Sequence, residues 1–491
     1  MNGARLPSRS LGLKFLLVCA LAVLMSLPAF AVFAIIYERT SRAQTVIQEV
    51  GQTYGGEQTF IGPVVVAPYR VVRAAPPPPP GTPAQPPTVE TGLYMVFADT
   101  GQANAVVDTD VRSRGGGDLF KVRTYTADLD FRAHFDLTGE PSEAPEGATV
   151  DWSRAAILIG VADPRGAQGR AEIEITGRGT IQLAPGSAYG QIMGNYVMGS
   201  YAGGPTYGGG RSIQWLVAEA GDLVRPGAIF DATSRLRFTG VESLGIAAFA
   251  QNTDIAIRGD WPDIGYVGAF PRPPEEGEQG SLAKAKNANG FEESWSIPLI
   301  ARNLSAAGLA TNLSNLASAD VRVRFVDPSN PYQSVTRALK YALLFLGVVF
   351  LAYFLFESTS ERRVHPAQYI LVGLAQIIFY LLLLAIAERM GFDWAFLIAA
   401  GATVTLIGAY LGAIFKSRQR GFVGMGCFAA LYALIYLLMR LEDYALLAGS
   451  VAAFLAIAAV MWFTRNLDWY GLAGELRGSD PQRPSAPPSN A

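Results

Sequence analysis

Two patterns of apolar and polar positions divide this chain. Long uncharged apolar runs open and close it, and alternating apolar and polar positions fill the middle. The closing runs are Tyr341–Phe356, Tyr369–Ala387, Trp394–Phe415, Phe422–Met439 and Tyr444–Phe463, and the opening run is Phe15–Tyr37. None holds Asp, Glu, Lys, Arg or His. A bilayer core takes roughly 20 apolar residues as a helix. Ala338, Leu339 and a snorkelling Lys340 lengthen the shortest run. Six transmembrane helices are therefore expected, at 15–37, 338–356, 369–387, 394–415, 422–439 and 444–463. A water-facing domain over 38–337 separates the first from the second.

Helical spacing continues past the first apolar run. Val46, Ile47, Val50 and Tyr54 recur on one face, and Gly55-Gly56 is a stop signal. Beyond it the period changes to two. Leu129, Phe131, Ala133, Phe135 and Leu137 alternate with Asp130, Arg132, His134 and Asp136. Ala171, Ile173 and Ile175 alternate with Glu172 and Glu174, and Val321, Val323 and Phe325 with Arg322 and Arg324. Such alternation predicts strands with one buried and one wet face. Val64–Val72, Gly92–Ala98, Ala155–Val161, Ser212–Val217, Arg235–Val241 and Asp254–Arg258 read as further strands. Many short strands without long helices between them predict a β-rich, antiparallel sandwich-like domain. The proline run Pro76–Pro87 and the Gly/Tyr-rich segment Gly186–Gly210 are expected as exposed loops. Pro273–Gly280 is expected as a solvated connector, and the end of the tail 464–491 as disordered.

Charge sets the orientation. Arg5, Arg9 and Lys14 precede the first span. Arg362, Arg363 and His365 lie between the second and third, and Lys416, Arg418 and Arg420 between the fourth and fifth. Arg465 and Arg477 follow the sixth. The opposite loops carry one cation each, Arg389 and Arg440, beside Glu388, Asp393, Glu442 and Asp443. The positive-inside rule then places residues 1–14 and the tail in the cytoplasm and the large domain outside, periplasmic in a Gram-negative cell. Lys14 and Ala29-Phe30-Ala31 imitate a cleavable signal. The apolar run continues through Ile36, past the usual signal core of about 7–15 residues, so a retained helix is expected. Net charge is −2 overall, but Glu38–Arg337 holds 25 cations and 32 anions, leaving −7 there and +5 elsewhere. So acidic a domain does not suggest nucleic acid. Both cysteines, Cys19 and Cys427, fall in apolar runs, so the domain is expected to fold without disulfides.

Motifs for chemistry are sparse. There is no HExxH, CxxC, P-loop or GxSxG, and no local spacing singles out an acid/base pair. His134 is expected as a solvated strand residue, and His365 as a loop residue before Pro366, which opens the third span. Two histidines in opposite compartments make no shared metal site. No catalytic, metal or cofactor residue is assigned. Within the spans, Gln376, Thr403 and Thr405 are the notable polar groups, and Gly408 and Gly412 form a GxxxG for close helix packing. Ala445, Gly449 and Ala453 continue a small-residue face on the last helix.

Five segments resemble the CreD family of bacterial inner-membrane proteins. They are YGGEQTFIGPVVVAPY (Tyr54–Tyr69), DPSNPYQSVTRALKYALLF (Asp327–Phe345), VHPAQYILVGLAQIIFYLLLLAIAERMGF (Val364–Phe392), EDYALLAGS (Glu442–Ser450) and TRNLDWYG (Thr464–Gly471). They cover the membrane third and the two ends of the large domain. The resemblance implies an inner-membrane protein tied to cell-envelope integrity, envelope stress and colicin tolerance, with no family catalytic site to carry over. Gly55, Gly56 and Gly62-Pro63 read as turn positions, and Glu57 as an anchor of the domain to the membrane helices. A non-enzymatic envelope protein acting through its outer domain on an envelope or protein partner is expected. A transporter or transporter accessory subunit is the alternative, and an envelope hydrolase or transferase the third reading.

Overall fold

The computed structural model describes residues 11–73, 86–113, 121–138, 144, 146–186, 213–270, 290–302, 305–309, 316, 319–326, 331–340, 342–358, 364–440 and 445–465. The chain forms two compact units, Met1–Arg42 with Ser329–Ala491, and Ala43–Pro328. The segments 187–212 and 271–289, most of the proline run and the tail beyond 465 lie outside the described residues.

The first unit is helical. Leu11–Leu24 and Ser26–Tyr54 follow one another across Met25. Pro28 has no N–H to give the Leu24 carbonyl, which loosens the helix at that turn. Bonding persists around it: the Met25 N–H reaches the Leu21 oxygen at 2.9 Å, and the Ala29 N–H reaches the Met25 oxygen at 3.2 Å. Among the described residues four helices are long and apolar enough to cross a membrane, not the expected six. They are Lys14–Tyr54, Pro366–Met390, Phe392–Ile414 and Arg418–Leu437. The run expected at 338–356 falls on two helices, Pro331–Lys340 and Ala342–Ser358. The first carries Gln333, Ser334, Thr336 and Arg337, and the apolar second has 17 residues, short for a bilayer. The run expected at 444–463 is the 20-residue helix Ala445–Thr464, many of whose side chains lie outside the described residues.

Aromatic rings interlock the helices. Tyr432 meets Phe345 and Phe379 at centroid distances of 4.9 Å each, and Phe379 meets Phe396 at 5.7 Å. Gly408 and Gly412 face the following helix at Met425 and Gly421, and a Cβ on Gly408 would stand 2.9 Å from that of Met425. This is the close approach expected of GxxxG. At one end of the unit, Glu357 is buried and saturated. Its Oε1 pairs with Lys14 Nζ and accepts the Val364 N–H at 2.6 Å, while Oε2 accepts the Tyr369 hydroxyl at 2.7 Å. His365 caps the next helix: its Nδ1 accepts the Ala367 N–H at 3.2 Å, and its own N–H reaches Gln368 Oε1 at 3.0 Å. Pro366 follows at the first turn, where its missing N–H costs nothing.

The second unit is a β domain. Its strands in chain order are β1 Gln58–Arg73, β2 Thr88–Ser113, β3 Lys121–Asp136, β4 Ala148–Val150, β5 Ala156–Val161, β6 Glu172–Ile175, β7 Gly179–Gln182, β8 Ala184–Pro185, β9 Gln214–Glu219, β10 Ile229–Val241, β11 Ser243–Ala247, β12 Ala250–Gly259, β13 Ile264–Tyr266, β14 Phe291–Pro298, β15 Ala307–Leu309 and β16 Asp320–Phe325. The long β2 belongs to two sheets. Its first half pairs with β1, through Val64↔Phe97 to Arg73↔Thr88. Its second half pairs with β3, through Thr100↔His134 to Ser113↔Lys121. One sheet then runs β9–β5–β1–β11–β16–β13, and the other β14–β12–β2–β3–β10–β6–β7. Two pairs are parallel, β1 with β11 and β2 with β12, so the sandwich is mixed rather than purely antiparallel. The inward faces share one core, with Phe60 against Phe238 and Phe131 against Phe249.

Two strand readings need correction. Gly62-Pro63 makes no turn; it lies inside β1, at an irregularity of register with β5. A Cβ on Gly62 would stand 2.6 Å from the Phe249 ring, so glycine there admits that ring to the core. Arg322 was expected on a wet face and is only 2% exposed. Its guanidinium pairs with the buried Asp320 on its own strand and donates to Thr59 Oγ1 at 2.6 Å and Ser243 Oγ at 3.1 Å. A buried charge is tolerable when paired and hydrogen-bonded, so period two alone did not reveal this face as buried.

Candidate functional site

A densely bonded polar site in the β domain lies where the Ser26–Tyr54 helix ends and β1 begins. The last turns of that helix lay Val46 on Val122 of β3 and Val241 of β10, with Ile47 and Val50 alongside. Gly55 then takes φ +82°, a left-handed conformation that stops the helix without strain. A side chain there would strike Gly166 and the Thr239 carbonyl, each 2.9 Å from its Cβ. The sequence therefore ends the helix at the point where the sheet receives it.

The turn is bonded to several parts of the domain. The Thr239 hydroxyl donates to the Tyr54 carbonyl at 2.6 Å. Arg112 donates to the Tyr54 hydroxyl and lies 4.5 Å above its ring. The Gly56 N–H reaches Asp163 Oδ2 at 3.1 Å, and the Gly56 carbonyl accepts the Val241 N–H at 3.2 Å. Gln58 is 0% exposed. Its Nε2 donates to the carbonyls of Asp163 and Thr239 at 3.0 and 3.2 Å, and its Oε1 accepts the Asp163 N–H at 3.2 Å. Glu57 lies 4.0 Å from Arg324 within the β domain, so its charge is engaged there.

Two carboxyl groups at this seat are perturbed in opposite directions. Burial works against ionisation of Asp163, but hydrogen bonds from the Arg165 side chain and N–H and from the Gly56 N–H outweigh it, with the Arg165 charge assisting; its pKa is lowered. Glu242, between β10 and β11, is pushed up by burial and then by the charge of Glu57, against Arg324 and Arg123. It also holds φ +60°, a left-handed conformation uncommon outside glycine. A strained, partly buried carboxyl beside a second carboxyl marks this corner as energetically frustrated.

Other sequence candidates are placed more plainly. His134 pairs across strands with Asp231, Nδ1 to Oδ1 at 2.7 Å, on a surface face. Among the described residues no three His, Cys, Asp or Glu side chains come together as metal ligands. Gln376 and Thr403 lie inside the helical unit, Thr403 bonded to the Ala399 carbonyl at 2.8 Å. Glu442, Asp443 and Asp468 lie outside the described residues. Sequence reasoning missed Gln58, Asp163, Thr239 and Glu242 as one site; the only local signal was the pair of glycines. It also missed Arg302, buried over the Phe97 ring at 4.0 Å, whose pKa burial lowers to about 10.

A family model described as "Inner membrane protein CreD" matches residues 10–470, nearly the whole chain, seat and apolar helices included. The chain belongs to the CreD family. A relative from Escherichia coli (strain K12), "Inner membrane protein CreD", is 27% identical over 459 residues, covering 92% of each chain. This is a membrane protein of that inner-membrane family, with apolar helices and a large β-rich domain. Among solved structures, a putative nutrient binding protein from Legionella pneumophila aligns over 57% of this chain and 88% of its own. It is 7% identical with a TM-score of 0.25, too distant for any argument about fold.

Proposed function

We propose that this CreD-family protein supports cell-envelope integrity without catalysis, and that its β domain is the part that contacts an envelope component or a protein partner. The observation that carries this reading is the seat at Tyr54–Thr59. There a dense polar network of the domain holds the end of the helix that leads out of the apolar region. Such a network fits a domain whose position matters more than its chemistry. Loop charge supports six passes, cytoplasmic termini and a periplasmic domain, with Ala342–Ser358 and Ala445–Thr464 completing the passes.

A phosphatase fused after Asp151 should be active and one fused after Arg477 inactive; the reverse pattern rejects the orientation. For the function, cells carrying Gly166→Val in place of the native chain are the test. A Cβ there would stand 2.2 Å from the Thr239 carbonyl, which forces the seat open. Normal membrane abundance with loss of detergent and colicin responses supports the reading; normal responses from an opened seat reject it. A transporter accessory role is the second reading. The observation favouring it is Gln376, an amide buried among apolar helices with neither polar atom hydrogen-bonded.

A further inference from the structure

Glu242 is the single residue between β10 of one sheet and β11 of the other. Its backbone is held from both sides. The Glu242 N–H donates to the Arg123 carbonyl at 3.3 Å, and the Glu242 carbonyl accepts the Phe325 N–H at 2.9 Å. The crossing takes φ +60°, so the chain turns sharply there. The residues just before it are the ones that grip the helix end. Val241 donates its N–H to the Gly56 carbonyl, and Thr239 its hydroxyl to the Tyr54 carbonyl. A shift of Glu242 is thus passed to the seat within three residues of chain.

Three charged groups face the Glu242 carboxyl: Glu57 from the turn before β1, Arg324 from β16 and Arg123 from β3. The two arginines are not equivalent. Arg123 donates to the Phe325 carbonyl at 2.8 Å and lies 4.5 Å over the Trp261 ring, which commits it to the corner itself. Arg324 lies 4.0 Å from Glu57, the residue between Gly56 and Gln58. An ionised Glu242 therefore repels Glu57 and competes with it for Arg324, at a partly buried position where charge is poorly solvated. A protonated Glu242 does neither. We propose that Glu242 is a proton-operated latch on the seat: when protonated it leaves Arg324 to Glu57 and the helix end is held tightly, and when ionised it loosens that hold. The sign follows from burial and the Glu57 charge, which raise the Glu242 pKa. The hold is full in the ordinary carboxylate range and is lost as pH rises through the raised value. Asp163 does not oppose this, because its lowered pKa keeps it ionised over the same window. The latch rests on the reading of the seat as the holder of the helix end.

Amide protection at Tyr54–Thr59 and Thr239–Val241, corrected for the intrinsic exchange rate, is measured on the full chain in detergent from about pH 5 to about pH 8. In the native chain it should fall about two- to fivefold as pH rises, the size of a partly exposed charge pair. Glu242→Gln, which stays uncharged, should keep the low-pH protection throughout. Glu57→Gln removes the competitor for Arg324 and should shrink the fall. Melting of each variant at about pH 5 reports that it is folded. Protection in the native chain that is high but independent of pH overturns the latch and leaves the seat reading standing. An equal fall in the native chain and in Glu242→Gln also overturns it, since the titrating group is then another. Low protection in the native chain at every pH, as expected of Gly166→Val, overturns the latch and the seat reading together.

Discussion

Replacing Gln58 with leucine isolates the polar part of the seat. Leucine is close to glutamine in volume, so the change opens little cavity in a site that is 0% exposed. It leaves the Asp163 N–H and the Thr239 carbonyl without the partner that holds them at 3.2 Å each, while the Asp163 carbonyl loses one bond of 3.0 Å and keeps the Gly166 N–H at 3.3 Å. Each buried group left unpaired costs about 1–3 kcal/mol. The two are neighbours, so their costs do not add fully, and about 2–5 kcal/mol is expected in total. Pulse proteolysis of the full chain in detergent, across a urea series, reads the change directly. Deuterium exchange should rise first at Tyr54–Thr59 and at the Thr239–Val241 end of β10. Trypsin should also cut faster at the exposed Arg42, on the same helix one turn before its seated part. A loss below about 1 kcal/mol with unchanged exchange would refute the claim that this network holds the helix end.

Four further outcomes follow from contacts described above. The raised pKa of Glu242 means that the folded domain gains stability from protonation and loses it as pH rises through the raised value; Glu242→Gln should stabilise the domain at neutral pH and flatten that part of its pH profile, read by thermal melting. Asp163 has the opposite sign, contributing stability above the ordinary carboxylate range and losing it as pH falls, so Asp163→Asn should destabilise at neutral pH and converge with the native chain in acid. Arg322→Met alone should cost about 3–5 kcal/mol by stranding Asp320, and Arg322→Met with Asp320→Leu should recover at least half of it in a double-mutant cycle. Gly412→Leu must displace Gly421 of the next helix, 3.5 Å from its Cβ, and should lower folded protein in the membrane as measured by immunoblot of extracted membranes.

What could be read from the residues was what is local. Apolar runs located the helices, because the bilayer acts on each segment alone; Tyr369–Ala387 lies inside the observed Pro366–Met390. Period two located β3 and β10, whose wet faces carry cross-strand pairs such as Arg235 with Asp130 and Arg237 with Asp128. The alternation failed at β1 and β16. There the strands are covered on both faces, and Pro63, Pro68 and Arg322 disguise burial that neighbouring strands impose. Strands β11 and β14 went unread because β11 is a five-residue apolar stretch and β14 interleaves Glu293 among its buried positions. The two parallel pairings depend on chain crossings that no local pattern encodes.

The seat shows the same limit most sharply. Seven consecutive residues, Tyr54 to Phe60, were conspicuous as a stretch, yet nothing within the stretch explains it. Tyr54 is met by Arg112 and Thr239, and Gly56 and Gln58 by Asp163. Glu57 is met by Arg324, Thr59 by Arg322 and Phe60 by Phe238. These partners lie between 58 and 267 residues away along the chain, on β2, β10, β16 and the turn after β5. A change along this stretch therefore disturbs β2, β10, β16 or the turn after β5, which leaves little freedom to substitute these residues singly. A loop that merely linked a helix to a sheet would need only the two glycines. That the turn is bonded to β2, β10, β16 and the turn after β5 argues that holding the helix end in register with both sheets is what these residues do.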